Sequence, residues 1–139
     1  MKIFIDTNVW LRFLLADVKE QYQECVDFFI EAEAGRFRPY TSTIVLLEVH
    51  YVLTSLLKIS QEKVLQDIEC ILETRNLTLI EKTDFRKALK VYRKTKIKFA
   101  DCLIATQLPK EAVLCTFDKE FRKVKTLKTI TPGEYSNLE

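Results

Sequence analysis

The sequence predicts an α/β fold, a three-layer α/β/α sandwich around a mainly parallel sheet. Short apolar segments of strand type alternate along the chain with longer segments whose apolar residues recur at helical spacing. Residues 3–5 and 113–115 are uninterrupted apolar runs, which is typical of parallel strands buried on both faces. With 139 residues, 47% of them hydrophobic, and only 2 Gly and 3 Pro, the chain has no linker or repeat and is expected to form a single domain over residues 1–139.

The chain opens with a predicted strand and helix. Residues 2–5 read as a short buried strand, and the following Asp-Thr-Asn could cap a helix that starts at Val9. Apolar residues at helical spacing then predict a helix over residues 18–34. Gly35 is expected to end it.

Two more helices are predicted before the middle of the chain. Residues 39–43, Pro-Tyr-Thr-Ser-Thr, are typical of a turn with a cap, and they should introduce a helix over residues 44–57. Ser60 is the expected cap of a third helix over residues 61–74.

A short strand at residues 77–80 is expected to lead into an amphipathic helix. Thr83 or Asp84 would cap this helix. Its apolar positions follow the i, i+3, i+4, i+7 pattern of one helix face, at Phe85, Ala88, Leu89 and Tyr92.

The remaining elements are a helix, two strands and a small basic helix. A helix should start near Phe99 and end before Pro109. Residues 112–116 form an apolar run of strand type, followed by Asp118 and the basic helix, and residues 128–131 are a candidate last strand.

Composition argues against a secreted, membrane-spanning, disulfide-linked or zinc-binding protein. The N-terminus lacks the basic and long apolar segments of a leader, and no apolar stretch reaches the 18 residues of a membrane helix, so we expect a cytoplasmic protein. The four cysteines are widely spaced without a CxxC pair and the chain has one His, His50, which argues against disulfides and a zinc site.

Charge is distributed unevenly along the chain. Residues 1–75 contain 8 Lys/Arg and 12 Asp/Glu, whereas residues 76–139 contain 14 and 8. Seven cations and no acid occur between Arg86 and Lys98. Such a run is typical either of a solvated helix face or of a surface that binds a phosphate backbone.

Four acids occur where local patterns do not require them. Asp6 and Asp118 each follow a predicted strand by a short interval, so both are expected at the C-terminal edge of the sheet, where ligands of such folds bind. Glu48 shares a helix face with apolar residues, and Asp101 shares one with Ile97, Ile104 and Ala105. Each has an ordinary alternative, since Asp6 and Asp118 could be helix caps and Asp101 could complement a helix dipole.

Convergence of the four carboxylates would explain all four positions at once. Mutual repulsion would require a cation among them. An oxygen-only donor set without clustered His or Cys suits Mg²⁺ or Mn²⁺, and Mg²⁺ usually completes its shell with water and substrate phosphate. The predicted chemistry is attack on a phosphodiester.

The four acids lie in four motifs, which are Ile5-Asp6-Thr7-Asn8-Val9, Leu47-Glu48-Val49, the segment from Phe99 to Ala105 that contains Asp101, and Thr116-Phe117-Asp118-Lys119-Glu120-Phe121. In order and spacing, these motifs resemble the PIN-domain nucleases, particularly the small VapC-type toxins of type II toxin–antitoxin systems. The resemblance covers nearly the whole chain.

The resemblance implies an α/β/α fold and a Mg²⁺- or Mn²⁺-dependent endoribonuclease that leaves a 5′-phosphate. It also implies a cognate antitoxin that blocks the site, and a homodimer. Asp6, Glu48, Asp101 and Asp118 match the acidic quartet of the family, as metal ligands and catalytic residues. Asn8 and Thr116 match the polar positions that support it.

One position departs from the family pattern. Lys98 stands three residues before Asp101, where many relatives have an acidic or small polar residue. A cation there could pair with a site carboxylate or contact RNA. Lys94, Lys96, Lys98 and Arg12 are the candidate RNA contacts.

Other functions remain open on the sequence alone. A stand-alone PIN-domain nuclease of RNA processing would carry the same acids, and a non-catalytic RNA- or partner-binding module would explain the basic run but not the acids. A phosphoryl-accepting receiver domain would need an acidic pair after its first strand, where only Asp6 occurs. His50 could be considered a general base, but it points about 200° around the helix from Glu48, since each residue turns the helix by about 100°.

Overall fold

The computed structural model describes residues 1–138, in which five strands form one parallel sheet. The strands are β1 (Lys2–Ile5), β2 (Arg38–Ser42), β3 (Thr78–Ile80), β4 (Val113–Cys115) and β5 (Thr129–Ile130). Their order is β3-β2-β1-β4-β5, and every neighbouring pair runs parallel. The strands predicted at residues 2–5, 77–80, 112–116 and 128–131 are therefore confirmed, each within two residues of its expected bounds.

Helices flank this sheet. They are α1 (Thr7–Leu15), α2 (Lys19–Glu33), α3 (Thr43–Tyr51), α4 (Gln61–Leu72), α5 (Phe85–Thr95) and α6 (Phe99–Gln107). A π-helical turn (Val52–Leu56) follows α3, and 3₁₀ segments cover Lys119–Lys123 and Pro132–Leu138. The predicted three-layer α/β/α sandwich is confirmed.

The turn predicted at residues 39–43 is wrong, because this segment is the strand β2 and only Ser42 acts as a cap. The strand tolerates Pro39 because an N–H at this position would have no partner in the sheet. The N–H of Arg38 donates to the Met1 carbonyl on the β1 side, so the next nitrogen faces the β3 side. Pairing with β3 begins only at Tyr40, so Pro39 removes no ladder hydrogen bond.

Two helix predictions also need correction. The first helix begins at Thr7 rather than at Val9. The helix expected over residues 44–57 is regular only to Tyr51 and then widens into the π-helical turn. Within that turn, the Thr54 hydroxyl donates to the His50 carbonyl at 2.7 Å, a bond that competes with the helical pattern.

The core is built around β1. Ile3, Phe4 and Ile5 are fully buried, and the main hydrophobic cluster extends from them into the helices around the sheet. A smaller cluster joins α5 and α6 through Ala88 and Leu103. No helix in residues 1–138 has the length and apolar character needed to cross a membrane.

The strand order places a binding crevice next to β1. The chain builds β1, β2 and β3 in one direction and then crosses back to β4, on the other side of β1. In open parallel sheets, ligands bind at such a reversal, beyond the C-terminal ends of the strands. Asp6 follows β1 and Thr116 follows β4 at this point.

Candidate active site

Asp6 occupies the helix N-cap position of α1, but its side chain does not cap the helix. Instead, Asp6 Oδ2 accepts a hydrogen bond of 2.7 Å from Thr116 Oγ1, across the edge between β1 and β4. The residue is 3% exposed. The capping alternative therefore explains the backbone position of Asp6 and not the direction of its carboxylate.

Asn8 and Thr116 connect the two turns that carry Asp6 and Asp118. Asn8 Nδ2 donates to Asp6 Oδ2 at 3.3 Å and to Thr116 Oγ1 at 3.2 Å, and Asn8 Oδ1 accepts from the Phe117 N–H at 2.9 Å. Thr116 Oγ1 also accepts from the Asp118 N–H at 2.9 Å. These contacts agree with the supporting positions expected for Asn8 and Thr116.

Glu48 is held from two sides. Thr7 Oγ1 donates to its Oε1 at 3.0 Å, and Lys98 Nζ donates to its Oε2 at 2.7 Å. The Glu48 side chain is 18% exposed, while Tyr51 on the same helix face is 56% exposed. Glu48 thus lies at the rim of the buried face of α3. The expectation that its apolar neighbours pack against the sheet is wrong for Tyr51, which is exposed.

Asp101 is a buried acid with a raised pKa. It lies in the first turn of α6, is 8% exposed, and is flanked by buried Ile97 and Ile104. Within residues 1–138 no protein donor contacts its carboxylate. Burial, followed by repulsion from Asp6 and Glu48, raises the pKa of Asp101 to about 7.

Asp6 and Asp118 complete the acidic cluster. Burial raises the pKa of Asp6 to about 6, partly opposed by the Thr116 hydrogen bond and reinforced by the charges of Glu48 and Asp118. Asp118 Oδ1 accepts from the Glu120 N–H at 2.9 Å, so this acid does cap the 3₁₀ segment, as its ordinary alternative predicted. The structure therefore brings the four predicted acids together, with Asp6 and Asp101 each within electrostatic reach of the other three.

The donor chemistry of this cluster suits a hard divalent cation. Carboxylates are its only titratable acceptors, and Asp101 has no protein donor to satisfy it in the described chain. No group of three or more His, Cys, Asp or Glu side chains in residues 1–138 is arranged to enclose a metal ion. An ion held mainly by water and one or two carboxylates, which is usual for Mg²⁺, needs no such cage.

Lys98 is the one cation paired with the quartet in the described chain. Its hydrogen bond with Glu48 raises the pKa of the lysine, and the charges of Asp101 and Asp6 act in the same direction. The lysine is therefore firmly protonated in the site.

The other candidate RNA contacts lie farther from the acids. Lys94 is exposed in the last turn of α5, and Lys96 ends that helix with its Nζ 5.4 Å from the centre of the Tyr92 ring. Arg12 lies in the last turn of α1, at the opposite end from Asp6, and pairs with Asp17 at 3.2 Å. Their contact with RNA stays a prediction.

Sequence reasoning missed two contributors to the site. The sequence places Thr7 only in a helix start, although its hydroxyl holds Glu48. It places Ser42 in a turn with a cap; the cap is present, accepting from the Val45 N–H at 3.3 Å, but the residue ends the strand β2 and joins it to α3. Both residues belong to polar segments that follow a strand, and that position is the signal that could have identified them.

Two of the known proteins that this chain resembles match it over most of its length. A VapC ribonuclease of Aquifex aeolicus (strain VF5) is 28% identical over 134 residues, which are 95% of this chain and 98% of that protein. The crystal structure of VapBC2 from Rickettsia felis, bound to a DNA fragment from their promoter, contains a chain with the same fold. It superposes with a TM-score of 0.68 at 20% identity, over 94% of this chain and 98% of that chain.

The family model that matches this sequence is described as the PIN domain, and it covers residues 3–127. This range includes all four acids, both supporting polar residues and Lys98. The resemblance carried by the four sequence motifs is thus confirmed at the level of the family, and the chain belongs to the PIN domain family.

Proposed function

We propose that this protein is a metal-dependent endoribonuclease whose active site is formed by Asp6, Glu48, Asp101 and Asp118. The observation that carries the proposal is the meeting of four acids at one sheet edge, where burial and mutual repulsion raise the pKa of Asp6 to about 6 and that of Asp101 to about 7. Such an arrangement is unfavourable for the folded protein unless a cation joins it, which is typical of a functional site.

Mg²⁺ or Mn²⁺ is the cofactor that this donor set fits. Of Asp6, Asp101 and Asp118, one or two would hold the ion directly and the rest through water, with Thr116 and Asn8 orienting Asp6. Bound there, the ion would supply Lewis acidity and an attacking water of lowered pKa. Glu48, fixed by Thr7, would ligate the ion or orient that water, and the expected products are RNA fragments with 5′-phosphates.

The proposed biological role is that of the toxin in a VapBC-type pair. It is supported by the similarity to a protein named VapC ribonuclease over nearly the full length of both chains. The predicted partners are an RNA substrate, a cognate antitoxin that blocks the site, and a second copy of this chain in a homodimer. The cation-rich segment from Arg86 to Lys98 supports a nucleic acid substrate through its charge.

The test is cleavage of total RNA by the purified protein with Mg²⁺, with Mn²⁺ or with EDTA. We expect cleavage with either metal and none with EDTA, and a loss of at least about 100-fold in rate for Asp6→Asn. Asp67→Asn is the matched control, because Asp67 is also a buried acid, 8% exposed, but pairs with Lys63 on α4. It should retain cleavage.

Cleavage that survives both EDTA and Asp6→Asn would overturn the proposal. The toxin role is tested separately, by adding the purified product of the neighbouring reading frame. Inhibition and a stable complex are expected if that product is the antitoxin, whereas a nuclease that ignores it would instead support a role in RNA processing.

A further inference from the structure

Lys98 stands at a position where local structure does not favour a cation. It is the N-cap residue of α6, and its side chain makes no capping bond. N-cap positions favour Ser, Thr, Asp and Asn, and the positive end of the helix dipole repels an ammonium group. The reason for a lysine here must therefore lie outside α6.

That reason is the acidic quartet. Lys98 Nζ lies 2.7 Å from Glu48 Oε2, a contact between residues 50 positions apart in sequence. Thr7 occupies the other carboxylate oxygen of Glu48 at 3.0 Å. In this structure, both oxygens of Glu48 are therefore engaged by donors of the chain itself.

We propose that Lys98 is a built-in counter-cation of the acidic quartet, which competes with the divalent ion for Glu48 and thereby lowers the affinity of the site for metal. This inference rests on the proposed metal-dependent function. An ammonium and a divalent cation repel each other across one carboxylate, so the ion binds Glu48 only as Lys98 withdraws or binds without Glu48. Because the Lys98 side chain is 66% exposed, it can swing into solvent, and the competition is reversible.

The acids of the quartet differ in whether a cation of the chain already occupies them. Asp6, Asp101 and Asp118, which pair with no cation in the described chain, are the carboxylates open to the metal at the outset. Glu48 becomes available to the metal only when its ion pair with Lys98 breaks. Lys98 is thus a positioning residue that sets metal affinity through Glu48.

The experiment is calorimetric titration of Mn²⁺ into the intact wild-type protein, Lys98→Met and Lys98→Gln at neutral pH. Methionine keeps the aliphatic stem without the charge, while glutamine keeps a hydrogen-bond donor without the charge. We expect both variants to bind Mn²⁺ about tenfold more tightly, the effect of removing one unit charge a few ångströms from the ion in a partly solvated site.

The control variant is Lys63→Met, which breaks a matched ion pair elsewhere. Lys63 Nζ lies 2.7 Å from Asp67 Oδ1, and the two side chains are 60% and 11% exposed, against 66% and 18% for Lys98 and Glu48. We expect its Mn²⁺ affinity to equal that of the wild type. Melting temperatures with and without Mn²⁺ give a second readout, since tighter binding produces a larger upward shift.

Three results would overturn the inference. The first is a wild-type protein that binds Mn²⁺ while neither Lys98 variant binds more tightly. The second is a Lys98→Gln protein that behaves as the wild type, because the hydrogen bond rather than the charge would then matter. The third is the absence of Mn²⁺ binding in all four proteins, which would remove the proposed metal-dependent function as well. If Lys98→Met does not fold, Lys98→Gln decides between these outcomes.

Discussion

At the scale of single residues, the acidic cluster costs the folded protein stability in the absence of metal. Asp6 is 3% exposed and Asp101 8% exposed, and both have pKa values raised by burial and by neighbouring acids. Ionising a carboxylate in such surroundings is harder than in the unfolded chain, where its pKa is about 3.9. Both residues therefore lower the stability of the folded protein, a cost that is typical of functional sites.

This cost depends on pH in a direction that can be tested. Between pH of about 4 and 7 the folded state holds protons on Asp6 and Asp101 that the unfolded state has released, so the free energy of unfolding in EDTA should fall as pH rises through this range. Asp6→Asn removes one of these ionisations. At pH 8 in EDTA, urea denaturation should show this variant to be more stable than the wild type by up to about 3 kcal/mol.

The advantage of Asp6→Asn should disappear near pH 4, where Asp6 is protonated in the folded wild type. Asp67→Asn should instead be less stable at pH 8, because it loses the ion pair with Lys63. A wild type more stable than Asp6→Asn at pH 8 in EDTA would contradict the assignment of Asp6 as a buried, destabilising acid.

At the scale of secondary structure, the site depends on polar segments that end strands and begin helices. Ser42 ends β2, is fully buried and caps α3, the helix that carries Glu48. Ser60, which is exposed, caps α4 with the same kind of hydrogen bond, accepting from the Lys63 N–H at 3.3 Å, but α4 carries no site residue. The two caps allow stability and function to be separated.

Replacing either serine with alanine should lower the free energy of unfolding by about 1 kcal/mol, the usual value of an N-cap hydrogen bond. Only Ser42→Ala should also slow RNA cleavage, because the first turn of α3 then frays and Glu48 loses its fixed position. Urea denaturation and cleavage rates measure the two effects. Equal losses of cleavage in both variants would indicate that activity follows global stability rather than the placement of Glu48.

At the scale of the whole molecule, lysines lie both near the acidic cluster and at the opposite edge of the sheet. Lys94 and Lys96 end α5, the helix that precedes Lys98 and α6, while Lys125 and Lys128 precede β5, at the N-terminal edge of the sheet. Acids and cations thus meet on the side of the molecule where the C-terminal ends of the strands lie. Nucleic acid bound at the site should contact the first lysine pair and not the second.

The salt dependence of RNA binding tests this arrangement. In the Asp6→Asn background, which avoids cleavage, replacing Lys94 and Lys96 with glutamine should reduce the slope of log K against log salt concentration by about 1.4, since each contact with single-stranded phosphate contributes about 0.7. Replacing Lys125 and Lys128 should leave the slope unchanged. Equal changes in both double variants would show that binding follows net charge rather than this surface.

Much of the architecture could be predicted because it depends on local patterns. Apolar runs, helical spacing and capping residues act over a few neighbours, and they located β1, β4, α2, α4, α5 and α6 to within a few residues. The strand β2 was missed because Pro-Tyr-Thr-Ser-Thr has the composition of a turn. Its pairing with β1 and β3 overrides that preference, since burial between two strands outweighs weak local propensity.

The sequence by itself determined which acids are candidates for the site, because carboxylates at strand ends and on apolar helix faces are visible without coordinates, and its motifs added Asn8 and Thr116. Only the tertiary structure decided how they are connected. Thr116 and Asp6 are 110 residues apart and Lys98 and Glu48 are 50 apart, yet each pair lies 2.7 Å apart. The first distance follows from the strand order, which sets β4 beside β1, and the second from the packing of α3 against α6. No local pattern specifies either arrangement. For the same reason, the sequence showed that Lys98 was unusual, and the fold showed that Glu48 is its partner.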